Sequence, residues 1–535
     1  MKIILFFLCC MSPAVFSQDD AWIYFAEKTN VEMALQNPNT ILSQQAIDRK
    51  RQHDITIDQR DVPVNLAYIK AISSLKTVRV LAKSKWMNAI HVRGDLAEIK
   101  TLLNFEFVAG IDFADKNLTD LKRPALQNSK FQIEATLEDF NYGNAQNQTD
   151  MIQAKALHLD GFTGKGISIA VFDSGFPNVN TMKAFERLRA QQGLKGGYDF
   201  VERTTEIFNF EGSSHGTRVL STMAGYLDAE FVGTAPDATY YLFRTEDVAH
   251  ENPVEESYWV EAAERADSLG VHIITSSLGY NTFDNPKYNY TPAEMNGVTT
   301  FISRGASIAA EKGILVVNSA GNSGSTPWQI VTAPADAESV FTVGAVDATG
   351  AYATFSSRGS ADQPTYKPDV VAQGLGTFVI TETESIVKNN GTSFSTPIIA
   401  GAMASLWQAM PGATAAQLKR YVRESASQSA SPDYYLGYGI PNFKQALAAT
   451  LSSQNLDVKQ VQLYPNPVSE LLYLKLPNNH EHGILRIYNL LGKQLLEQEY
   501  HSNPLPVDVS KLATGMYLLT IHSGHNSYNL KFIKS

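Results

Sequence analysis

Nearly continuous apolar runs alternate with helical segments through the middle of the chain. Residues 167–172 form one such run, and residues 271–276 and 314–318 repeat its texture. Helical patterns over residues 254–269 and 300–312 precede the second and third runs. Strands buried on both faces of a parallel sheet have this apolar pattern. The pattern therefore predicts an α/β domain with a mostly parallel sheet, in which functional groups gather beyond the carboxyl ends of the strands.

The segments on either side of this domain have other patterns. Residues 18–115 mix short strands with a helix, which indicates a small α+β module. Residues 116–148 are polar and predict a linker. Residues 453–535 contain short strand-like runs separated by Pro, Asn and Gly, which predict a small all-β sandwich. The α/β domain is accordingly expected over residues 149–452.

Residues 1–17 have the pattern of a secretory signal peptide, with a basic start and an apolar run over residues 3–11. This run is too short to span a bilayer. A lipoprotein signal that uses Cys9 or Cys10 is the alternative. Both cysteines lie in this segment, so we expect no disulfide and no thiolate metal site in the mature chain.

The charge balance is acidic, with 44 Lys and Arg residues against 54 Asp and Glu residues and a net charge of -10. No cluster of basic residues stands out in the sequence. This balance is unfavourable for binding nucleic acid or anionic membranes, so we expect neither as a partner.

Three residues occupy settings that suit hydrolysis by a serine nucleophile. Asp173 ends a buried run, His215 lies among small residues before a helical stretch, and Ser393 lies where a small-residue apolar helix begins. A hydroxyl nucleophile needs a base for its proton and an acid that orients the base. Each residue by itself also fits a cap or turn role. Their order and their Gly-rich settings together favour the catalytic interpretation.

The segments IAVFDSG at 169–175, HGT at 215–217 and GTSFSTP at 391–397 resemble the three signature segments of subtilisin-like serine proteases. Other matching segments follow the same order along the chain, so that the resemblance covers about residues 149–449. They are GTAPDA at 233–238, SLG at 277–279, AGNSG at 320–324, FSSRG at 355–359, KPDV at 367–370 and GYG at 437–439.

The resemblance implies a role for each matching residue. Ser393 is the implied nucleophile, and His215 takes its proton and later gives it to the leaving amine. Asp173 holds His215 in the required tautomer. Asn322 and the backbone N–H of Ser393 are the implied donors to the oxyanion.

The resemblance also implies polypeptide substrates and chemistry that requires no cofactor. Substrate is expected to bind as an added strand along Ser277, Leu278 and Gly279, with Ala320 and Gly321 on the neighbouring segment. The sequence departs from the commonest family pattern at Arg218 and Gln373. Neither departure is expected to affect a catalytic residue. A polar insertion at residues 284–298 is expected to shape one wall of the cleft.

The sequence assigns no metal ligands. Structural calcium is known in the family that the chain resembles, but no dense Asp/Asn loop of the EF-hand kind defines a site. His480, Glu481 and His482 form a polar turn with only two imidazoles, which favours a solvated loop over a metal site.

The position and texture of residues 18–115 resemble the family's propeptides, which assist folding and inhibit the enzyme until they are cleaved. An accessory module that stays attached is the alternative. The segments LYPNPV at 463–468, IYNLLGK at 487–493, LATGMY at 512–517 and KFIK at 531–534 resemble a type IX secretion sorting domain. A carbohydrate-binding or adhesive sandwich is the alternative for this module.

The sequence thus predicts a secreted serine endopeptidase made as a precursor. Its expected partners are polypeptide substrates, its own propeptide and the type IX secretion machinery. Export through the periplasm would lead to the medium or to the outer-membrane surface. The alternatives are a catalytically inactive subtilisin-like binding or adhesion protein, and an esterase or transferase that uses the same three residues.

Overall fold

The computed structural model describes residues 18–53, 55–118, 140–449, 462–475, 483–489, 494–500, 505–523 and 526–535. The chain divides into two compact units at residues 446 and 447. The first unit contains the N-terminal module and the α/β domain, and the second contains the C-terminal β module. The predicted signal peptide, most of the predicted linker and His480 to His482 lie outside the described residues.

The N-terminal module is built on an antiparallel sheet with strand order β2-β3-β1-β4. Helices α3 and α4 add further apolar residues to its core, such as Ile72 and Ile99. An insertion between β1 and α3 adds two helices, α1 and α2. The elements are β1 Gln18–Phe25, α1 Val31–Gln36, α2 Gln44–Gln52, α3 Leu66–Ser73, β2 Val78–Ser84, β3 Ala89–Asp95, α4 Leu96–Thr101 and β4 Val108–Phe113.

The α/β domain has a seven-stranded parallel sheet with the order β13-β12-β11-β10-β5-β9-β6. This confirms the predicted subtilisin-like α/β fold with its mostly parallel sheet. The seven strands of this sheet are β5 Ser168–Asp173, β6 Leu194–Asp199, β9 Thr239–Arg244, β10 Ile273–Ser276, β11 Leu315–Ser319, β12 Phe341–Val346 and β13 Val370–Gln373. Two further antiparallel pairs are β7 Tyr226–Leu227 with β8 Phe231–Val232, and β14 Thr377–Ile380 with β15 Ile386–Asn389. The helices are α5 Gln146–Asp150, α6 Lys155–Leu159, α7 Glu186–Ala190, α8 His215–Ala224, α9 Val254–Leu269, α10 Phe301–Glu311, α11 Thr392–Ala409 and α12 Ala415–Glu424.

Burial explains the apolar patterns of this domain. Every residue of β5 is buried, because strands pair with it on both sides and helices cover the sheet. Helix α11 is apolar all round because it packs against four strands of the sheet and against α8. Asp173 lies at the carboxyl end of β5, and the first turns of α8 and α11 contain His215 and Ser393.

The α/β domain begins before the predicted boundary at residue 149. Tyr142 and Ala145, which lie in the predicted linker, are completely buried. Gln148 forms two hydrogen bonds with the backbone of Phe378, at 3.1 Å and 3.0 Å. These residues therefore belong to the folded domain, whereas their polar composition alone had indicated a linker.

The C-terminal module consists of two antiparallel sheets that enclose a common apolar core. Asn466, in the Pro-Asn-Pro turn, accepts a hydrogen bond at 2.8 Å from the backbone N–H of Ile533 in the last strand. The turn therefore fixes the end of the chain to the module. The strands are β16 Gln462–Tyr464, β17 Leu471–Lys475, β18 Gly483–Tyr488, β19 Gln494–Tyr500, β20 Leu505–Asp508, β21 Gly515–Ser523 and β22 Asn526–Lys534.

Candidate active site

Asp173 and His215 form a hydrogen-bonded pair. The Nδ1 atom of His215 lies 2.8 Å from Oδ1 of Asp173. The Asp173 side chain is fully buried, whereas the His215 side chain is 34% exposed. Ser174 holds the same carboxylate oxygen through its backbone N–H at 2.8 Å. The carboxylate thus fixes the Nδ1 edge of the imidazole, while part of the ring stays accessible to solvent.

Ser393 lies in the first turn of α11, next to the segment that is predicted to bind substrate. Its backbone oxygen accepts a hydrogen bond at 2.9 Å from the hydroxyl of Ser277. The next residue, Phe394, packs its ring 5.6 Å from the ring of His215, measured between centroids. These contacts bring the three predicted catalytic residues and the Ser277 segment to the same edge of the sheet.

Asn322 is exposed and lies beside the start of α11. Its Oδ1 atom accepts hydrogen bonds from the backbone N–H of Thr392 at 2.9 Å and from the Thr392 hydroxyl at 3.0 Å. The other end of its amide is near Gly391, since a Cβ built on Gly391 would lie 3.7 Å from Nδ2 of Asn322. Sequence reasoning had not identified Thr392, whose contact with Asn322 depends on the tertiary fold.

Comparison with known proteins identifies the family to which a chain with this arrangement belongs. Residues 164–439, just over half of the chain, match the model of the Subtilase family. The chain belongs to the subtilase family. Residues 20–132 of this subtilase match the Peptidase S8 propeptide domain of Bacteroidota, and residues 462–535 match the Secretion system C-terminal sorting domain. The protein is therefore a subtilisin-like serine endopeptidase, made as a precursor and exported to the medium or the cell surface.

Individual relatives match just over half of the subtilase. Subtilisin E of Bacillus subtilis (strain 168) is 31% identical over 301 residues, which cover 55% of this chain and 69% of the relative. Subtilisin of Bacillus pumilus is also 31% identical, over 55% of this chain and 96% of the relative. The crystal structure of MycP1 with the N-terminal propeptide removed is 23% identical with a TM-score of 0.44, covering 56% of this chain and 96% of that one.

The propeptide contacts the α/β domain through a buried network of charges. Arg49 and Lys50 of α2 bind the carboxylate of Asp267, at 2.5 Å and 2.8 Å. Asp61 of the propeptide binds Lys312, which follows α10, at 2.8 Å. All five side chains are at most 3% exposed. A buried charge is costly without its partner. The network therefore couples the propeptide segment between β1 and α3 to the surface formed by α9 and α10.

The polar insertion at residues 284–298 also contacts the propeptide. Lys287 pairs with Asp19, and Tyr288 accepts a hydrogen bond at 3.2 Å from the backbone N–H of Asp20. Glu294 pairs with Lys116 at 2.8 Å. These contacts make the insertion part of the surface that holds the propeptide, and its role as a wall of the cleft stays a prediction.

The electrostatic surroundings of His215 favour its protonated form. Burial lowers the pKa of the imidazole, but the charge and hydrogen bond of Asp173 outweigh burial and raise the pKa above its usual value of 6.5. Arg218, one turn along α8, lowers this pKa, and Glu246 raises it. Arg218 forms an ion pair with Glu382 at 3.2 Å. Arg218 therefore influences His215, although the sequence had given it no catalytic connection.

Glu246 is a second residue that sequence reasoning missed. It follows β9, and its carboxyl group accepts hydrogen bonds from Tyr280 and, at 3.1 Å, from the Thr245 hydroxyl. Burial and the nearby charges of Glu251 and Asp173 raise the pKa of Glu246 to about 8. An acidic residue after an apolar strand was the available signal, but its proximity to the site depends on the neighbouring strands.

The metal prediction has no side-chain cluster to support it. Among the residues that the structure describes, no group of three or more His, Cys, Asp or Glu side chains is arranged to hold a metal ion. We therefore name no calcium ligands, and structural calcium stays a prediction. In the same part of the chain, no helix is both long and apolar enough to cross a membrane.

Proposed function

We propose that this subtilase hydrolyses peptide bonds through an acyl-enzyme intermediate formed on Ser393, with His215 and Asp173 completing the catalytic triad. The observation that carries the proposal is the 2.8 Å contact between His215 Nδ1 and Asp173 Oδ1. With Nδ1 occupied by the carboxylate, the neutral imidazole keeps its lone pair on Nε2, which is the atom that must accept a proton from the nucleophile.

In the first half of the reaction, His215 removes the proton of the Ser393 hydroxyl as Ser393 Oγ attacks the scissile carbonyl carbon. The imidazolium that forms is stabilised by the buried Asp173 carboxylate, which stays ionised. The imidazolium then gives its proton to the leaving amine, and the acyl group remains on Ser393. In the second half, water attacks this ester with His215 again acting as the base.

The tetrahedral oxyanion is stabilised by the side-chain amide of Asn322 and by the backbone N–H of Ser393. The location of Ser393 in the first turn of α11 supports this role, because N–H groups in that turn lack helical acceptors and the helix dipole favours negative charge. Extended substrate binds along Ser277, Leu278 and Gly279. The hydrogen bond from Ser277 to the Ser393 backbone aligns this segment with the nucleophile.

Rapid mixing with a p-nitrophenyl ester tests the acyl-enzyme directly. We expect a burst of p-nitrophenol equal to the enzyme concentration, followed by slower turnover, because the acyl group accumulates on Ser393. Ser393→Ala should abolish the burst, whereas Ser395→Ala, two residues along the same helix, should retain it. A folded wild-type protein with no burst and no peptide hydrolysis would instead favour the inactive binding or adhesion protein.

A further inference from the structure

The space between two loops of the subtilase that contact the start of α11 is termed the crevice. Strands β10 and β11 are adjacent and parallel, so the loops that follow them leave from the same edge of the sheet. One loop begins with Ser277 to Gly279, and the other contains Ala320 to Asn322. Ligands of α/β domains bind beyond the carboxyl ends of the strands, which is where both loops lie.

The proposed function determines which substrate group points into this crevice. The peptide lies along residues 277–279, and its scissile carbonyl oxygen points to Asn322 on the other loop. The residue that contributes this carbonyl therefore has its Cα between the two loops. Its side chain must enter the crevice or stay at its mouth.

The hydroxyl of Thr332 lies in the crevice, between Gly279 of one loop and Gly321 of the other. Thr332 is held there because the next residue, Ala333, accepts a hydrogen bond at 2.8 Å from the backbone N–H of Tyr280. A Cβ built on Gly279 would collide with Oγ1 of Thr332. A Cβ built on Gly321 would lie 3.3 Å from the same atom. One side-chain oxygen thus packs against the backbone of both loops.

No structural requirement among the described residues accounts for the hydroxyl of Thr332. The residue is 4% exposed, and its Oγ1 has no hydrogen-bond partner in the part of the chain that the structure describes. Burying an unpaired hydroxyl costs free energy, so it contributes no stability of its own. What the side chain does supply is volume between Gly279 and Gly321.

From this geometry we propose that Thr332 closes the substrate pocket for the residue on the N-terminal side of the scissile bond. The filled crevice accepts glycine, alanine or serine at that substrate position and excludes leucine and phenylalanine. This specificity rests on the proposed function, since it requires Ser393 to be the nucleophile and residues 277–279 to bind the peptide.

The test measures kcat/KM for peptide anilides that differ only at the residue before the scissile bond. For the wild-type enzyme purified after secretion, alanine and serine peptides should be cleaved at least about tenfold faster than leucine and phenylalanine peptides. Thr332→Ala removes Oγ1 and should raise the relative rate on leucine and phenylalanine by about tenfold or more. If Thr332→Ala folds but opens the crevice incompletely, Thr332→Gly should raise the relative rate on leucine and phenylalanine peptides further.

Thr332→Val is the matched control because it keeps the volume and removes only the hydroxyl. It should retain the wild-type preference and should unfold at the same temperature or higher, since the lost hydroxyl has no partner. Wild-type enzyme that cleaves phenylalanine peptides as fast as alanine peptides would overturn the proposal. So would an unchanged preference in folded Thr332→Ala and Thr332→Gly. If no peptide is cleaved in a Ser393-dependent manner, the proposed function itself fails, and the specificity proposal fails with it.

Discussion

Nδ1 of His215 lies 2.8 Å from Oδ1 of Asp173, whose side chain is completely buried at the end of β5. A carboxylate in that position has two effects on the imidazole. It fixes the orientation of the ring, and it favours the protonated ring that the proposed mechanism requires. The predictions for the catalytic centre follow from this pair and its neighbours.

Asp173→Asn should lower kcat by about 10⁴-fold, because the amide no longer stabilises the required tautomer and imidazolium. The pH profile provides a second readout. Catalysis needs neutral His215, so activity rises as pH increases through the pKa of His215. Since Asp173 raises this pKa against the effect of burial, its loss should move the acidic limb of kcat/KM to lower pH. A limb at unchanged pH would contradict the assignment of His215.

Arg218→Gln should move the same limb in the opposite direction. The Arg218 cation lowers the pKa of His215, so removing it should raise this pKa and shift the acidic limb to higher pH. Glu382→Gln is the control, because it removes the partner of Arg218 but keeps the cation. It should not produce an upward shift. Profiles of kcat/KM recorded at the same ionic strength would distinguish the two variants.

Asn322→Ala should reduce kcat by about 10²–10³-fold with little change in KM, which is the loss seen in subtilisin when a side-chain donor to the oxyanion is removed. Thr392→Val is the control for the contact between these residues, since it removes the hydroxyl bonded to Asn322 and keeps the backbone N–H. It should lose much less activity. Equal losses in both variants would indicate that Asn322 acts only by supporting α11.

Asp267→Asn should destabilise the precursor by about 3–5 kcal/mol, because it leaves the buried Arg49 cation without its ion-pair partner and leaves Lys50 with Asp61 alone, at 3.2 Å. The free energy of unfolding of full-length protein is best measured with Ser393→Ala present, so that the precursor stays uncleaved. Asp48→Asn removes an exposed ion pair from the same propeptide helix and should change stability by less than about 1 kcal/mol. Similar effects of the two substitutions would exclude a stabilising role for the buried network.

Much of the α/β domain could be predicted from local sequence patterns. Continuous apolar runs predicted β5 and its parallel neighbours, and helical periodicity predicted α9 with its observed bounds, Val254–Leu269. Strand β19 is harder to predict from the sequence, because its charged residues, such as Glu497 and Glu499, obscure the alternation of apolar and polar positions. In the part of the chain that the structure describes, that strand pairs with β18 alone, at the edge of its sheet.

Residues that act through tertiary contacts could not be predicted in this way. Arg49 and Lys50 lie in a charged run that is typical of a solvated helix face, yet both are buried against Asp267. Thr332 and Glu246 carry no local motif, since their positions depend on loops from neighbouring strands. The catalytic candidates were accessible from sequence because each lies in a short motif, whereas their surroundings are distant in the chain.

The most direct test of the account is labelling of the secreted protein with a fluorophosphonate, followed by peptide mass mapping. We predict one phosphonyl adduct, on Ser393, whose formation becomes slower after Asp173→Asn and disappears in Ser393→Ala. Absence of labelling in folded wild-type protein, or an adduct on a different serine, would contradict the assignment of Ser393 as the nucleophile.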